Sequence, residues 1–200
     1  MKKIVLIVIA IIFVSININA QNLFLEVGVG IGKIVGVKSP NNKAEVHLNI
    51  FKSFKFGQLG LDFSEGGNFI PVNRNIVDEN IETLSPYDSK FTYINIFYRL
   101  TIKKHFFIEP RFGYSTLFSF VHSDDKTKIT RPNFTLGIGI GGNINNLTLS
   151  LRYQYLGITP YYKGVRNSTM IQSNPKSLAI MFFRVSYRLR LDNLFSKNHK

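Results

Sequence analysis

From Gln21 to Leu191 the chain runs in alternating apolar and polar positions, the period-two signature of strands whose two faces meet different surroundings. The longest run is Phe106 to Val121. Phe106, Ile108, Pro110, Phe112, Tyr114, Thr116, Phe118 and Phe120 fall on one face, and Phe107, Glu109, Arg111, Gly113, Ser115, Leu117 and Ser119 on the other. Seven more segments split the same way. Leu23, Leu25, Val27, Val29 and Ile31 oppose Glu26, Gly28, Gly30 and Gly32; Val46, Leu48 and Ile50 oppose His47, Asn49 and Ser53; Leu59, Leu61 and Phe63 oppose Gln58, Gly60, Asp62 and Ser64. Ile94, Ile96, Tyr98, Leu100 and Ile102 oppose Asn95, Arg99 and Thr101, while Phe134, Leu136, Ile138 and Ile140 oppose Thr135, Gly137, Gly139 and Gly141. Leu147, Leu149, Leu151, Tyr153 and Tyr155 oppose Thr148, Ser150, Arg152 and Gln154; Ala179, Met181, Phe183, Val185, Tyr187, Leu189 and Leu191 oppose Arg184, Ser186, Arg188 and Arg190.

Eight alternating segments of about ten residues match a membrane-spanning β-barrel, in which closure satisfies every backbone group without a lipid-exposed edge. Connection lengths test this independently, because such barrels have short turns at one end and longer loops at the other. Short turns are expected at Phe54-Lys55, Lys103-Lys104-His105 and Ile144-Asn145, and long loops at Glu65–Ser89, His122–Pro132 and Ile158–Lys176. Only the first outer loop, around Ser39-Pro40-Asn41-Asn42, is short for its position. Alternation does not say which face points inward. A soluble barrel around an apolar ligand would reverse the faces, but arginines and glutamates recur on one face, and nine such charges around a ligand cavity would be costly. The fold class is therefore all-β, an eight-stranded antiparallel up-and-down transmembrane β-barrel over residues 21–191.

Composition sharpens this picture. Aromatics make up 14% of the 200 residues and charged residues only 18%, an unusual balance for a soluble globule but suited to a lipid-facing exterior. Residues 1–20 read as a signal peptide, with Lys2-Lys3, an apolar run from Ile4 to Val14 too short to span a bilayer, and cleavage expected between Ala20 and Gln21. Residues 192–200 are expected to form a short tail on the periplasmic side. The absence of cysteine excludes disulfides, thiol catalysis and Cys-ligated metals. The net charge of +13 raises nucleic acid as a partner, but the positive residues are spread over the signal peptide, the lumen face and the short turns, so that partner is not expected.

The inward polar face holds the candidate site. Glu26, His47, Asp62, Arg99, Glu109, Arg111, Arg152, Arg184, Arg188 and Arg190 all lie on it. An eight-stranded barrel is just wide enough to be filled by its own side chains, so these groups are expected to pair into a salt-bridged plug. The expected turns place Arg99 opposite Glu109, His47 opposite Asp62, and Gly137 opposite Arg152, while closure of the last strand on the first brings Arg184 and Arg188 toward Glu26.

No enzyme, cofactor or metal is expected. Gly137-Ile138-Gly139-Ile140-Gly141-Gly142 matches the dinucleotide fingerprint, but a turn follows it where that motif needs a helix, and position 162 is Tyr where an acid should stand. His122-Ser123-Asp124-Asp125 has the residue types of a hydrolytic site without the spacing, and the four histidines are scattered. Recognition is expected of the outer loops. Residues 65–89 carry five carboxylates against one arginine, and residues 158–176 carry Lys163, Arg166 and Lys176 beside Tyr161 and Tyr162, a common pairing of aromatic and cation at binding surfaces.

The leader, the lack of cysteine, the glycine-alternating first strand and the eight aromatic-rich strands together resemble the small Gram-negative outer-membrane β-barrel proteins of the OmpX-like and PorT-like kind. That resemblance implies residence in the outer membrane, contact with outer-membrane lipid and lipopolysaccharide, insertion by the outer-membrane assembly machinery, and a structural or interaction role with a possible envelope protein partner. The PorT-like side implies an accessory part in a secretion or assembly complex. The family's assembly signal is a final strand ending in an aromatic residue; here the strand ends at Leu189-Arg190-Leu191, with Tyr187 or Phe195 available in its place.

Overall fold

A computed structural model describes residues 22–36, 42–68, 76–78, 81–83, 90–103, 105–120, 128–166, 169–173 and 175–191. The expected signal peptide and C-terminal tail, and the segment His122–Asp125, lie outside the described residues. Twelve strands follow in order: β1 (Leu23–Ile34), β2 (Asn42–Phe54), β3 (Gly57–Asn68), β4 (Ile76–Asp78), β5 (Ile81–Thr83), β6 (Lys90–Lys103), β7 (Phe106–Phe120), β8 (Lys128–Ile144), β9 (Leu147–Ile158), β10 (Tyr162–Arg166), β11 (Thr169–Ser173) and β12 (Ser177–Arg190).

Eight of these close a barrel in the order β1-β12-β9-β8-β7-β6-β3-β2, every pair antiparallel and sequential strands adjacent. This is the expected up-and-down topology, sealed by β1 against β12 from Phe24↔Arg190 to Ile34↔Ile180. The alternation sorts the side chains as the charge pattern requires. Val29 and Ile31 of β1 are 59% and 61% exposed on the outside, and Leu136, Ile138 and Ile140 of β8 are also exposed, while Glu26, Asp62, Arg99 and Glu109 are fully buried inside. Along β8 the outward apolar residues run from Phe134 to Ile144. At about 3.3 Å per residue and a tilt near 40°, that run covers about 25 Å, the height of the apolar band of an outer-membrane barrel. A surface so apolar and continuous is suited to lipid and not to water.

The three short connections lie at one end of the barrel. Two of them turn one residue later than expected: Phe54 pairs with Gly57, so the turn is Lys55-Phe56, and Ile144 pairs with Leu147, so the turn is Asn145-Asn146. Asn145 takes a positive φ of 53°, a conformation that asparagine tolerates and Ile144 would resist. The long connections lie at the opposite end. There the backbone pairing of β8 with β9 stops at Leu136↔Tyr155, and the Asn133 side chain takes over, accepting from the Ile158 N–H at 3.0 Å and donating to its carbonyl at 3.1 Å. Gly157, at φ +99°, sits where the register of β9 against β12 shifts, between Leu178↔Gly157 and Ala179↔Tyr155, and Leu156 beside it keeps the inward position that the alternation gives it.

The two longest loops form a structure of their own. Strands β4 and β5 from the loop between β3 and β6, and β10 and β11 from the loop between β9 and β12, make a four-stranded sheet in the order β10-β11-β5-β4. Parallel pairing of Met170–Gln172 with Ile81–Thr83 joins the loops.

Candidate functional site

The lumen is filled at three levels. At the turn end, Phe24, Phe51, Phe97 and Phe107 surround two guanidiniums. Arg99 lies 4.2 Å from the centroid of Phe107 and 5.2 Å from that of Phe51, and Arg188 lies 5.1 Å from Phe51 and 5.7 Å from Phe24. Such cation–π contacts strengthen where water is excluded. Arg99 also donates to Glu109 at 2.7 Å and to Glu26 at 3.1 Å, so one guanidinium ties β6 to β7 and, across the lumen, to β1.

The middle level is a continuous ion network. Arg111 bonds Asp62 and Glu109, and Arg184 bonds Glu45 and reaches Asp62 at 3.3 Å. Tyr93 donates to Glu45 at 2.8 Å, and Ser64 to Asp62 at 3.0 Å. Above it, Ile34, Phe91, Leu117, Leu156, Leu178, Ile180 and Phe182 form a buried apolar cluster toward the loop end. The charged layer is thus held between an aromatic layer and an apolar cap, where a buried ion is tolerable only when paired and hydrogen-bonded.

Of the predicted interior set, nine residues lie in this network or against it and one does not. Arg99 meets Glu109 as expected, and Glu26 faces Arg188, their side chains 3.4 Å apart. Arg184 does not approach Glu26. It sits four residues before Arg188 in β12, opposite Gly30, and serves Glu45 and Asp62 instead. His47 does not face Asp62. With the turn at Lys55-Phe56 it pairs with Ser64, and its Nε2 lies 2.8 Å from Ser186 Oγ, while Asp62 pairs with Asn49. Gly137 faces Gln154, and it is Gly139 that leaves room for Arg152. Arg190 is exposed at the last position of β12, paired with Phe24 at the mouth.

Two interior ions escaped the sequence reading, Glu45 and Lys43, because the second strand starts at Asn42 and not at Val46. Continuing the alternation backward through Val46 and Ala44 would have placed both on the inner face. Glu45 supplies a fourth carboxylate, and Lys43 a further buried cation that donates to Asn68.

The arrangement does not favour catalysis. The His47–Ser186 contact resembles part of a nucleophile–base pair, but both residues are buried beneath the apolar cluster, and among the described residues no group hydrogen-bonds His47 Nδ1 to orient the ring. Among the described residues no group of three or more potential ligands could hold a metal ion. At the loop end, Tyr161 is 55% exposed just before β10, and the backbone of Tyr162, Lys163 and Arg166 forms that strand, pairing with Ser173, Gln172 and Thr169.

No protein-family model and no curated protein matches the chain. Solved structures do. Neisserial surface protein A superposes with a TM-score of 0.60 at 11% identity, over 85% of this chain and 97% of that one. Ail, the attachment invasion locus protein of Yersinia pestis, matches with a TM-score of 0.45 at 14% identity over 84% of this chain and 97% of its own. The N-terminal β-barrel domain of Pseudomonas aeruginosa OprF matches with a TM-score of 0.44 at 12% identity, over 84% and 98%.

Proposed function

We propose that the protein is a non-enzymatic structural and interaction component of the outer membrane whose recognition surface is built by loops 65–89 and 158–176, carried on an eight-stranded barrel with the fold of the small bacterial outer-membrane proteins, an apolar outer band and a filled lumen. The observation that carries this reading is the sheet shared by the two loops, in which β11 of one pairs with β5 of the other. A rigid barrel presenting an ordered loop surface is a common arrangement for binding. One contributing segment is acidic and the other basic with exposed Tyr161 beside it, so the surface carries both charge signs and an aromatic. Lipopolysaccharide would meet the basic residues of this end, and a protein partner the sheet.

Deleting residues 70–88 and 160–174 separately, followed by cross-linking in the envelope, tests the reading. Since each deletion removes half of the shared sheet, both should lose the same cross-linked partner while the barrel still folds. Unchanged cross-links in both deletions would refute loop recognition. A captured partner that is part of a secretion or assembly machine would favour the PorT-like accessory role over a purely structural one.

A further inference from the structure

The short turns at the closed end of the barrel differ in chemistry. Residues 140–151, around the turn Asn145-Asn146, contain no charged residue and set polar asparagines at the tip, the ordinary choice for a turn in water. The turn Lys55-Phe56 instead puts a phenylalanine at its tip, 74% exposed, with Lys55 Nζ 5.5 Å from the ring centroid. Beside it Phe54, on the outer face of β2, is 53% exposed, and Phe106, on the outer face of β7, is 62% exposed. Three open phenylalanine rings at one end of a barrel are unfavourable in water.

Cations alternate with these rings. Lys52 stands on the outer row of β2 between Ile50 and Phe54, Lys55 follows at the turn, and Lys103 pairs with Phe106 at the end of β6. Neither 50–61 nor 98–108 contains an aspartate or glutamate. Because β3 pairs with β6, the two turns are neighbours on the rim, so lysines and phenylalanines share the β2-β3-β6-β7 side while the β8-β9 side is neutral. On the same strands the exposed Leu59, Leu100 and Ile102 carry the apolar outer band down to this patch. In a bilayer the two residue types have complementary places: rings at the boundary of headgroups and acyl chains, and ammonium groups on flexible stems at the phosphates.

We propose that this patch is a docking surface for anionic phospholipid of the periplasmic leaflet, with Lys52, Lys55 and Lys103 at the headgroup and Phe54, Phe56 and Phe106 at the start of the acyl chains. Continuity with the apolar band selects lipid over a soluble acidic protein, which would cover the charges and leave Phe54 and Phe106 to the bilayer. A zwitterionic headgroup offsets its phosphate with its own ammonium, so net negative charge is what the lysines select. Each lysine near an anionic surface contributes about 1 kcal/mol, or about fivefold in affinity. The surface lies at the opposite end from the loop sheet and does not depend on the partner proposed for those loops.

Native mass spectrometry of the refolded, detergent-solubilised barrel, titrated with phosphatidylglycerol or phosphatidylcholine of the same chains, provides the test. The wild type should hold phosphatidylglycerol more tightly. The variant Lys52→Gln/Lys55→Gln/Lys103→Gln should lose that preference, by about fivefold per lysine. Lys33→Gln/Lys90→Gln, which removes exposed lysines at the loop end, should keep it. If the triple variant does not fold, Lys55→Gln alone, at an exposed turn, should show the loss of about fivefold. Equal retention of the two lipids by the wild type, an undiminished preference in the folded turn-end variants, or an equal loss in Lys33→Gln/Lys90→Gln overturns the proposal. Displacement of phosphatidylglycerol by a polyglutamate peptide at constant ionic strength also overturns it, by assigning the patch to a soluble acidic partner.

Discussion

His47 lies against Gly28, Arg184 and Glu45 against Gly30, Phe182 against Gly32, Phe91 against Gly66 and Phe107 against Gly141. Each large interior side chain uses the space vacated by a glycine on a neighbouring strand, so volume as well as charge selects the pairing. Gly141→Val should therefore prevent recovery of the compact, heat-modifiable gel form, because the added carbons meet Leu149 O and the Phe107 ring. Gly36→Ala, with nothing within 4 Å but a φ of +79°, should fold and lose only about 1 kcal/mol in urea titration. Glu26→Gln leaves Arg99 and Arg188 short of a carboxylate and should cost about 3–5 kcal/mol in the same titration. Arg188→Ala, which removes a cation paired with Glu26, should destabilise the barrel by more than Arg190→Ala at an exposed mouth position. Equal losses for the two arginines would mean that the network extends to the mouth. These partners were only partly legible beforehand: the face of each residue follows from alternation, whereas which glycine meets which arginine depends on where a turn falls.

At the scale of strands and turns, that dependence has a simple form. Moving a two-residue turn by one position shifts every cross-strand partner by two, which leaves all side chains on their proper faces. Hydrophobic pattern is therefore blind to the difference between Phe54-Lys55 and Lys55-Phe56, and His47 was matched to Asp62 when it meets Ser64. At the other hairpin a local signal was present, since Asn145-Asn146 is better turn chemistry than Ile144-Asn145. Strand number, order and orientation survive such slips because they follow from connection lengths and face alternation. The loop sheet was not legible at all. It joins segments about ninety residues apart through parallel pairing, and neither loop alternates strongly enough to announce a strand. On the outer face of a strand, Ile138→Arg should destabilise the bilayer-folded barrel by about 2–4 kcal/mol, as a charge near mid-bilayer does. Unfolding from vesicles checks this; a negligible loss would place Ile138 in water.

Over the whole molecule, the formal +13 separates into parts with different surroundings. Two lysines belong to the expected leader, the lumen arginines face carboxylates, Lys55 is exposed at a short turn over Phe56, and others lie in the outer loops. No continuous basic face results, in keeping with a lipid-facing surface and an interior that neutralises most of its own charge. The central claim is that the apolar exterior spans a membrane while the interior is closed to water and ions. Recording from planar bilayers that contain the refolded, heat-modifiable protein tests it most directly. The account predicts stable insertion with no unitary conductance steps above background. Steady, ion-selective steps that disappear when Arg99 or Arg184 is replaced would show a lumen open to ions and contradict it.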